Sequence, residues 1–507
     1  MANTYETERT LGGSYSCEAG GEYTLPDYTP EVRRVLRVDC DATVTGQYDT
    51  QDKTEVGGEV TYCLLYLDGE GAVASVTLDG TFSCQIPGGE GVRMQVIPTV
   101  DNVTCRLGGP RRVNMKANMT LRPIAVRGET VTEAETDDLG ACEILRRNLT
   151  VGETVFFEGE EAELSDSVKA EPQSRLLSVC GRVLVREAKA EVGAARVRAD
   201  LWLTALCADG AGVPYTVRGK IPVEETISEE RLTPAFAVMA FGRCTACNAA
   251  FTSEEGSDRL VFDARVTLCG VAVNNEVVTP MCDLYAMDCP VNVSLAPVVG
   301  RYYPACLQGN YTVDGSVPLT EVGLDEEAVP FDCRGQASVT SCTADGAEIT
   351  VEGEMRMHCL MGIAGDESYT GAAFRFPWKV RMTAKEPLPE GAQLMAQVQA
   401  VGCHLRSDGQ KLSADAELQV SCLATATNET EAVEEIDADR EHPFPHRRGE
   451  IVTVYPEGGD SLWEIGKRYH VSLAGIADTN SIPREVLETP DLPQHLDGIS
   501  HLMLEYD

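Results

Sequence analysis

One hydrophobic–polar pattern recurs three times in the first 440 residues, and it decides what this chain can fold into. Its first copy runs from Val35 to Val126 through VLRVDCDATV, VGGEVTYCLLYLDGEG and VNMKANMTLRPIAV. The second starts at Leu176 with LLSVCGRVLVREAKAE and ends LVFDARVTLCGVAV. The third starts at Val329 with VPFDCRGQASVTSC and ends AELQVSCLA. Each copy carries an alternating run, a polar turn, and a second alternating run leading to Cys63, Cys207 or Cys359. An amphipathic stretch and two more alternating runs follow. Apolar residues at every second position predict strands with one buried face. Gly-rich breaks at Gly69–Gly71, Gly88–Gly91 and Gly108–Gly109 predict hairpin turns. The fold class expected is mainly β: three tandem β-rich, sandwich-like units, each with at most a short helix. A unit of about 150 residues buries its own core, so a string of domains is expected rather than a solenoid. The boundaries predicted are 1–140, 141–290 and 291–423.

Charge and cysteine usage narrow the function. The chain holds 80 Asp+Glu against 42 Lys+Arg, a formal net charge of −38. Such a field repels nucleic acid and anionic lipid, so neither is expected as a partner. The opening MANTYETERTLGG has no basic start and no apolar core of signal-peptide length. The longest apolar runs, such as Ala235 to Phe241, fall far short of a membrane span. A cytoplasmic, reducing location is therefore expected, and the 19 cysteines are expected to be reduced. Cys40, Cys63, Cys84, Cys207, Cys269, Cys359 and Cys422 lie in alternating or apolar runs, where Cys packs as a small hydrophobe. Cys244 and Cys247 have CxxC spacing but no second ligand pair and no βαβ context, so packing thiols are favoured over a metal or redox site. No nucleophile elbow, P-loop, dinucleotide fingerprint or HExxH is present, and no enzyme, cofactor or metal is expected.

Residues 424–450, ATATNETEAVEEIDADREHPFPHRRGE, carry seven acids and one base between Glu429 and Glu441. That composition predicts an extended, self-repelling tether. The last segment, 451–507, changes character. IVTVY alternates as a strand and LMLEY ends the chain. Between them Asp460 is the expected N-cap of a helix whose Leu462, Ile465 and Tyr469 form one stripe, and Ser472 caps a second helix ending near Asn480. The expected unit is βααβ. Trp463 falls off the apolar stripe, which makes it either an interface anchor or a residue packed under the loop Pro483–Gly498.

The sequence GDSLWEIGKRYHVSLAGIADTNSI resembles the LysM family. The resemblance implies a shallow groove formed by Gly459, Asp460, Ser461, Leu462 and Trp463 on one loop and Asn480, Ser481 and Ile482 on the other. In that family the groove commonly binds N-acetylglucosamine polymers. Here the first loop is PEGG rather than a shorter Pro-Gly, the segment Pro483–Gly498 is long, and the module holds ten acids against three bases. An anionic module suits a basic protein surface better than an anionic wall.

The pattern VLRVDCDATV…VNMKANMTLRPIAV resembles the SPOCS domain of spore-coat-associated proteins from spore-forming Firmicutes. Three such units followed by a LysM module resemble LysM-bearing spore morphogenetic proteins. The resemblance implies a scaffold on the mother-cell side of the forespore that acts in coat and cortex formation. It also implies that the module contacts the stage IV sporulation protein A ATPase. A peptidoglycan- or glycan-binding surface protein is the alternative, and free strand edges allow self-association.

Overall fold

The computed structural model describes residues 4–137, 139–254, 257–363, 368–445, 449–457, 460–487, 496 and 499–506. It is mainly β. The first unit contains β1 (Thr4–Leu11), β2 (Tyr15–Thr24), β3 (Arg34–Asp49), β4 (Lys53–Leu67), β5 (Val73–Pro87), β6 (Val92–Gly109) and β7 (Arg112–Thr132). β3, β4 and β5 form an antiparallel meander. The other sheet centres on β7, which pairs with β6 on one side and with β2 and then β1 on the other. Strand periodicity sends Val113, Met115, Ala117, Met119 and Leu121 of β7 inward against Val60, Tyr62 and Leu64 of β4, and the two sheets enclose one core.

A short strand β8 (Cys142–Arg146) leads to the second unit: β9 (Leu149–Glu158), β10 (Ala162–Lys169), β11 (Arg175–Glu191), β12 (Ala194–Ala208), β13 (Pro214–Ser228), β14 (Ala237–Glu254) and β15 (Ser257–Val278). Strand β16 (Met281–Ala286) pairs back with β8 and leads to the third unit. That unit holds β17 (Val291–Pro318), β18 (Ala328–Asp345), β19 (Glu348–Ile363), β20 (Tyr369–Thr383), β21 (Gln393–Ser407) and β22 (Lys411–Ala438). The pairing scheme repeats: meanders β11-β12-β13 and β18-β19-β20 face sheets centred on β15 and β22. Where β1 breaks to β2 and β9 to β10, the third unit keeps one strand, β17, with a register shift between Tyr302 and Ala305.

The amphipathic stretches are the third strands of the meanders, within the expectation of at most a short helix per unit. In β20, Phe374, Phe376, Trp378, Val380 and Met382 all enter the core at period two. Residues 424–438, expected to begin a tether, are strand. Ala424–Ala438 continue β22, paired with β17 from Ala305 back to Val291. Ala432 and Val433 are buried there, while Glu429, Glu431, Glu434 and Glu435 face solvent, so the acidic run is the wet face of a paired strand. Residues 446–448 lie outside the described residues.

The three units close on one another rather than following in a string. Each first meander strand carries two bulges nine residues apart, at Leu36 and Thr45, Leu177 and Arg186, and Phe331 and Thr340. The first bulge of each turns a large side chain into a shared centre, where Leu36 and Leu65, Leu177 and Leu206, and Phe331 and Leu360 pack together. Polar contacts run head to tail around it. Ser75 donates to the Leu177 carbonyl, and Thr216 Oγ1 donates to the Phe331 carbonyl at 2.8 Å. At the matching place in the third unit stands Gly371, whose backbone lies so close to the Leu36 carbonyl oxygen that a Cβ would collide with it. The ring is pseudo-threefold and closed.

A buried ion pair seals the junction of the first and third units. Arg37 Nη2 lies 2.8 Å from Asp332 Oδ2, and its Nε donates to Asp39 at 2.9 Å. Burial opposes the charge on Arg37, but Asp39 and Asp332 outweigh it and hold the guanidinium protonated. Beside the ring the paired strands β1/β7, β9/β15 and β17/β22 pack as three ribbons around Val131, Leu149, Val151, Val298 and Ala432. One polar residue from each unit meets there. Thr154 Oγ1 and Tyr303 Oη lie 2.5 Å apart, and Glu8 accepts from the Thr154 amide at 3.0 Å, from Tyr303 at 3.3 Å and from Arg93 at 2.8 Å.

Asp332→Ala leaves the buried Arg37 with Asp39 as its remaining carboxylate partner and is expected to cost about 1–3 kcal/mol, whereas Arg37→Met with Asp332→Leu recovers most of that loss. Chemical denaturation of the three proteins checks this, and an Asp332→Ala chain as stable as the parent contradicts it. Glu8 supplies a pH test. Burial raises its pKa above the ordinary 4.5, despite the opposing hydrogen bonds from Thr154 and the charge of Arg93. The folded chain therefore holds this proton more tightly than the unfolded one. The resulting stability is full below the ordinary value and is lost as pH rises through the raised one. Melting curves from pH 7 to pH 4.5 are expected to show the parent gaining on Glu8→Gln as pH falls, and a constant difference contradicts the assignment.

Candidate functional site

The candidate site lies in the C-terminal module, built from β23 (Ile451–Val454), α1 (Leu462–Tyr469), α2 (Leu473–Thr479) and β24 (Leu502–Glu505), with β23 antiparallel to β24. Leu462, Ile465, Val471, Ile476, Leu502 and Leu504 form its core. Among the described residues no helix is long and apolar enough to cross a membrane.

The helix cap falls one residue later than expected. Ser461, not Asp460, is the N-cap: its Oγ accepts from the Glu464 amide at 3.1 Å while Glu464 Oε2 accepts from the Ser461 amide at 3.0 Å, a reciprocal capping box. Asp460 instead folds the preceding turn. It accepts from the Glu457 amide at 3.0 Å and pairs with Arg468 at 3.0 Å, and these two contacts, the amide first, hold its carboxyl below the usual range.

The groove residues divide by how their side chains are used. Ser461 is fully buried and Leu462 sits in the core. The Asn480 amide bridges α2 to β24: Nδ2 donates to the Ile476 carbonyl at 2.8 Å and the Met503 carbonyl at 2.7 Å, and Oδ1 accepts from the Met503 amide at 2.8 Å. Ile482 packs half-buried on the core. Ser481 is exposed, with a left-handed backbone at φ 55°. Gly459 lies outside the described residues. The geometry thus places Ser461, Leu462, Asn480 and Ile482 in structural roles, and among the described groove residues Ser481 alone presents an exposed side chain.

Trp463 anchors a contact within the chain. It is 5% exposed and packs against the β8/β16 ribbon between the units; most of the Pro483–Gly498 loop lies outside the described residues. Its indole Nε1 donates to Asp283 Oδ2 at 3.0 Å, and its ring meets Tyr285 edge-on at 5.1 Å. Lys467 Nζ donates to both oxygens of Asp283, at 2.6 and 2.7 Å. Tyr285 Oη donates to the Val471 carbonyl at 2.8 Å, and the Leu473 amide donates to Glu143 Oε1 at 2.9 Å. Gly466 is required where Tyr285 Oη passes, since a Cβ there would strike it. Burial pushes the Tyr285 and Glu143 pKa values up. Phe444 stacks on His470 at 3.7 Å, clamping the far side.

The docking partners Glu143, Asp283 and Tyr285 lie outside the repeat, and sequence reasoning missed them. The signal available was MCDLYA, a short, mostly apolar run between two units with no place in the repeat. Near the same end of the ribbons an open cleft of about 670 Å³ is lined by Glu135, Asn292, Ser294, Glu434, Glu435 and Asp437, with no Lys or Arg among the described residues of its wall. Such a wall repels anions. Among the described residues no group of three His, Cys, Asp or Glu is arranged to hold a metal. No family model, no curated protein and no solved structure matches this chain.

Asp283→Ala removes the acceptor shared by Trp463 Nε1 and Lys467 Nζ and is expected to weaken docking by about 1.5–3 kcal/mol. Amide hydrogen exchange across Leu462–Thr479 is then expected to speed up while exchange in β4, β12 and β19 stays unchanged. Unaltered exchange in the helices contradicts the docking role.

Proposed function

We propose that this chain is a non-catalytic scaffold of spore-coat and cortex assembly, and that its C-terminal module recruits a stage IV sporulation protein A type ATPase to the forespore surface from the mother-cell side. The reading rests on the family resemblance of the repeats and the module. One observation favours a protein partner over a sugar: two polar side chains of the groove, one from each loop, are already committed. Ser461 is buried in a capping box and Asn480 spends its amide on β24, so neither is free to hydrogen-bond a glycan hydroxyl. The acidity of the module and of the nearby cleft supports a partner with a basic surface.

The purified full chain is expected to bind the purified ATPase, and deletion of 451–507 is expected to abolish binding. Neither protein is expected to retain N-acetylglucosamine oligomers or peptidoglycan. Calorimetry with both ligands checks this. Saturable sugar binding by the full chain, with no binding of the ATPase, overturns the proposal in favour of a glycan-binding surface protein.

A further inference from the structure

Cys342 and Cys422 belong to opposite sheets of the third unit. Cys342 lies on β18, opposite Val351 of β19, and Cys422 lies on the central strand β22, between Leu307 of β17 and Ala396 of β21. Their sulfurs are 3.8 Å apart across the sandwich, in van der Waals contact. Cys422 is fully buried, while Cys342 is half-buried and reachable from the edge of the unit. The position resembles that of the bridge joining the two sheets of an immunoglobulin domain, where one cross-sheet bond passes through the middle of the core.

We propose that Cys342 and Cys422 are a thiol oxidation site that closes to an inter-sheet disulfide when a small disulfide of the glutathione type is supplied. The exposed partner reacts first. The Cys342 thiolate attacks one sulfur of the oxidant, forming a mixed disulfide and releasing one thiolate. The Cys422 sulfur then gives up its proton and attacks Cys342 Sγ, forming the protein disulfide and releasing the second. Two protein thiols are oxidised, one external disulfide is reduced to two thiols, and the two protein protons end on those thiols. Contact with Cys422 holds the Cys342 thiol below its ordinary value, in keeping with its role as attacker, and contact with Cys342 followed by burial raises Cys422. Once Cys342 is capped, it no longer carries the charge that opposes ionisation of Cys422. The bond closes a loop between residues 80 apart and ties the meander to the sheet that continues into the ribbons. Oxidation therefore locks the two sheets of the third unit to each other.

The test uses the full chain, incubated with glutathione disulfide or with dithiothreitol, alkylated under denaturing conditions and mapped by peptide mass. The oxidised chain is expected to lose two hydrogens, with the peptides of Cys342 and Cys422 linked, and to melt several degrees higher, reversibly on reduction. Cys342→Ser is expected to melt like the reduced parent and to show no link and no upward shift. Full alkylation of both thiols after oxidation overturns the proposal. So does arrest at the mixed disulfide on Cys342, or a cross-link that maps to another pair such as Cys244 and Cys247.

Discussion

The structure depends on one extra residue at the start of each meander. A strand that alternates without interruption would leave Leu36, Leu177 and Phe331 on a face already set by their neighbours. The bulge breaks that phase and turns each one out of its own sandwich. Three sandwiches that each expose a leucine or phenylalanine, backed by Leu65, Leu206 or Leu360, have an apolar patch that none can cover alone. Each such side chain is worth roughly 1.5–3 kcal/mol when removed from water. Head-to-tail packing covers all three at once. Because each unit grips the next through the same pair of elements, the arrangement closes and leaves no copy of the patch unused.

Carrying the three units on one chain lets the ring be asymmetric where symmetry would be costly. A trimer of identical subunits must place like residues around its axis. Here the equivalent positions hold Arg37, Ser178 and Asp332, so a cation meets an anion instead of two copies of itself. The same freedom gives Glu8, Thr154 and Tyr303 among the ribbons, where one carboxylate is surrounded by donors. It gives Gly371 where Ser75 and Thr216 stand in the other units, at the contact that closes the circle. Such pairs fix register: a buried charge with one partner disfavours any rotation of the units past one another.

Much of this was legible from residues alone, and the limits have physical causes. Period-two burial identified the strands of β7, β19 and β22 and the sandwich class. The ring was also written in the sequence, in runs that stop alternating: CLLYL in β4, ALCA in β12 and CLM in β19 are apolar without interruption, the mark of strands buried on both faces. The rule of alternation sees only the inner face. The acidic stretch 424–438 misled because composition reports the exposed side of a ribbon and says nothing of Ala432 and Val433 beneath it. At the module, spacing placed Trp463 off the core stripe correctly, but only the fold shows that Tyr285 and Asp283 come to meet it. The cap moved from Asp460 to Ser461 because Glu464 sits three residues after Ser461, the reciprocal spacing that a capping box needs.

The account makes the chain a closed platform with a docked tip, and its overall size tests that most directly. Small-angle X-ray scattering from the full chain is predicted to give a radius of gyration on the order of 24 Å, the value for a compact body of 507 residues, with a single-peaked distance distribution. A markedly larger radius with a multi-peaked, extended distribution, as three separate sandwiches in a row would produce, contradicts the closed ring.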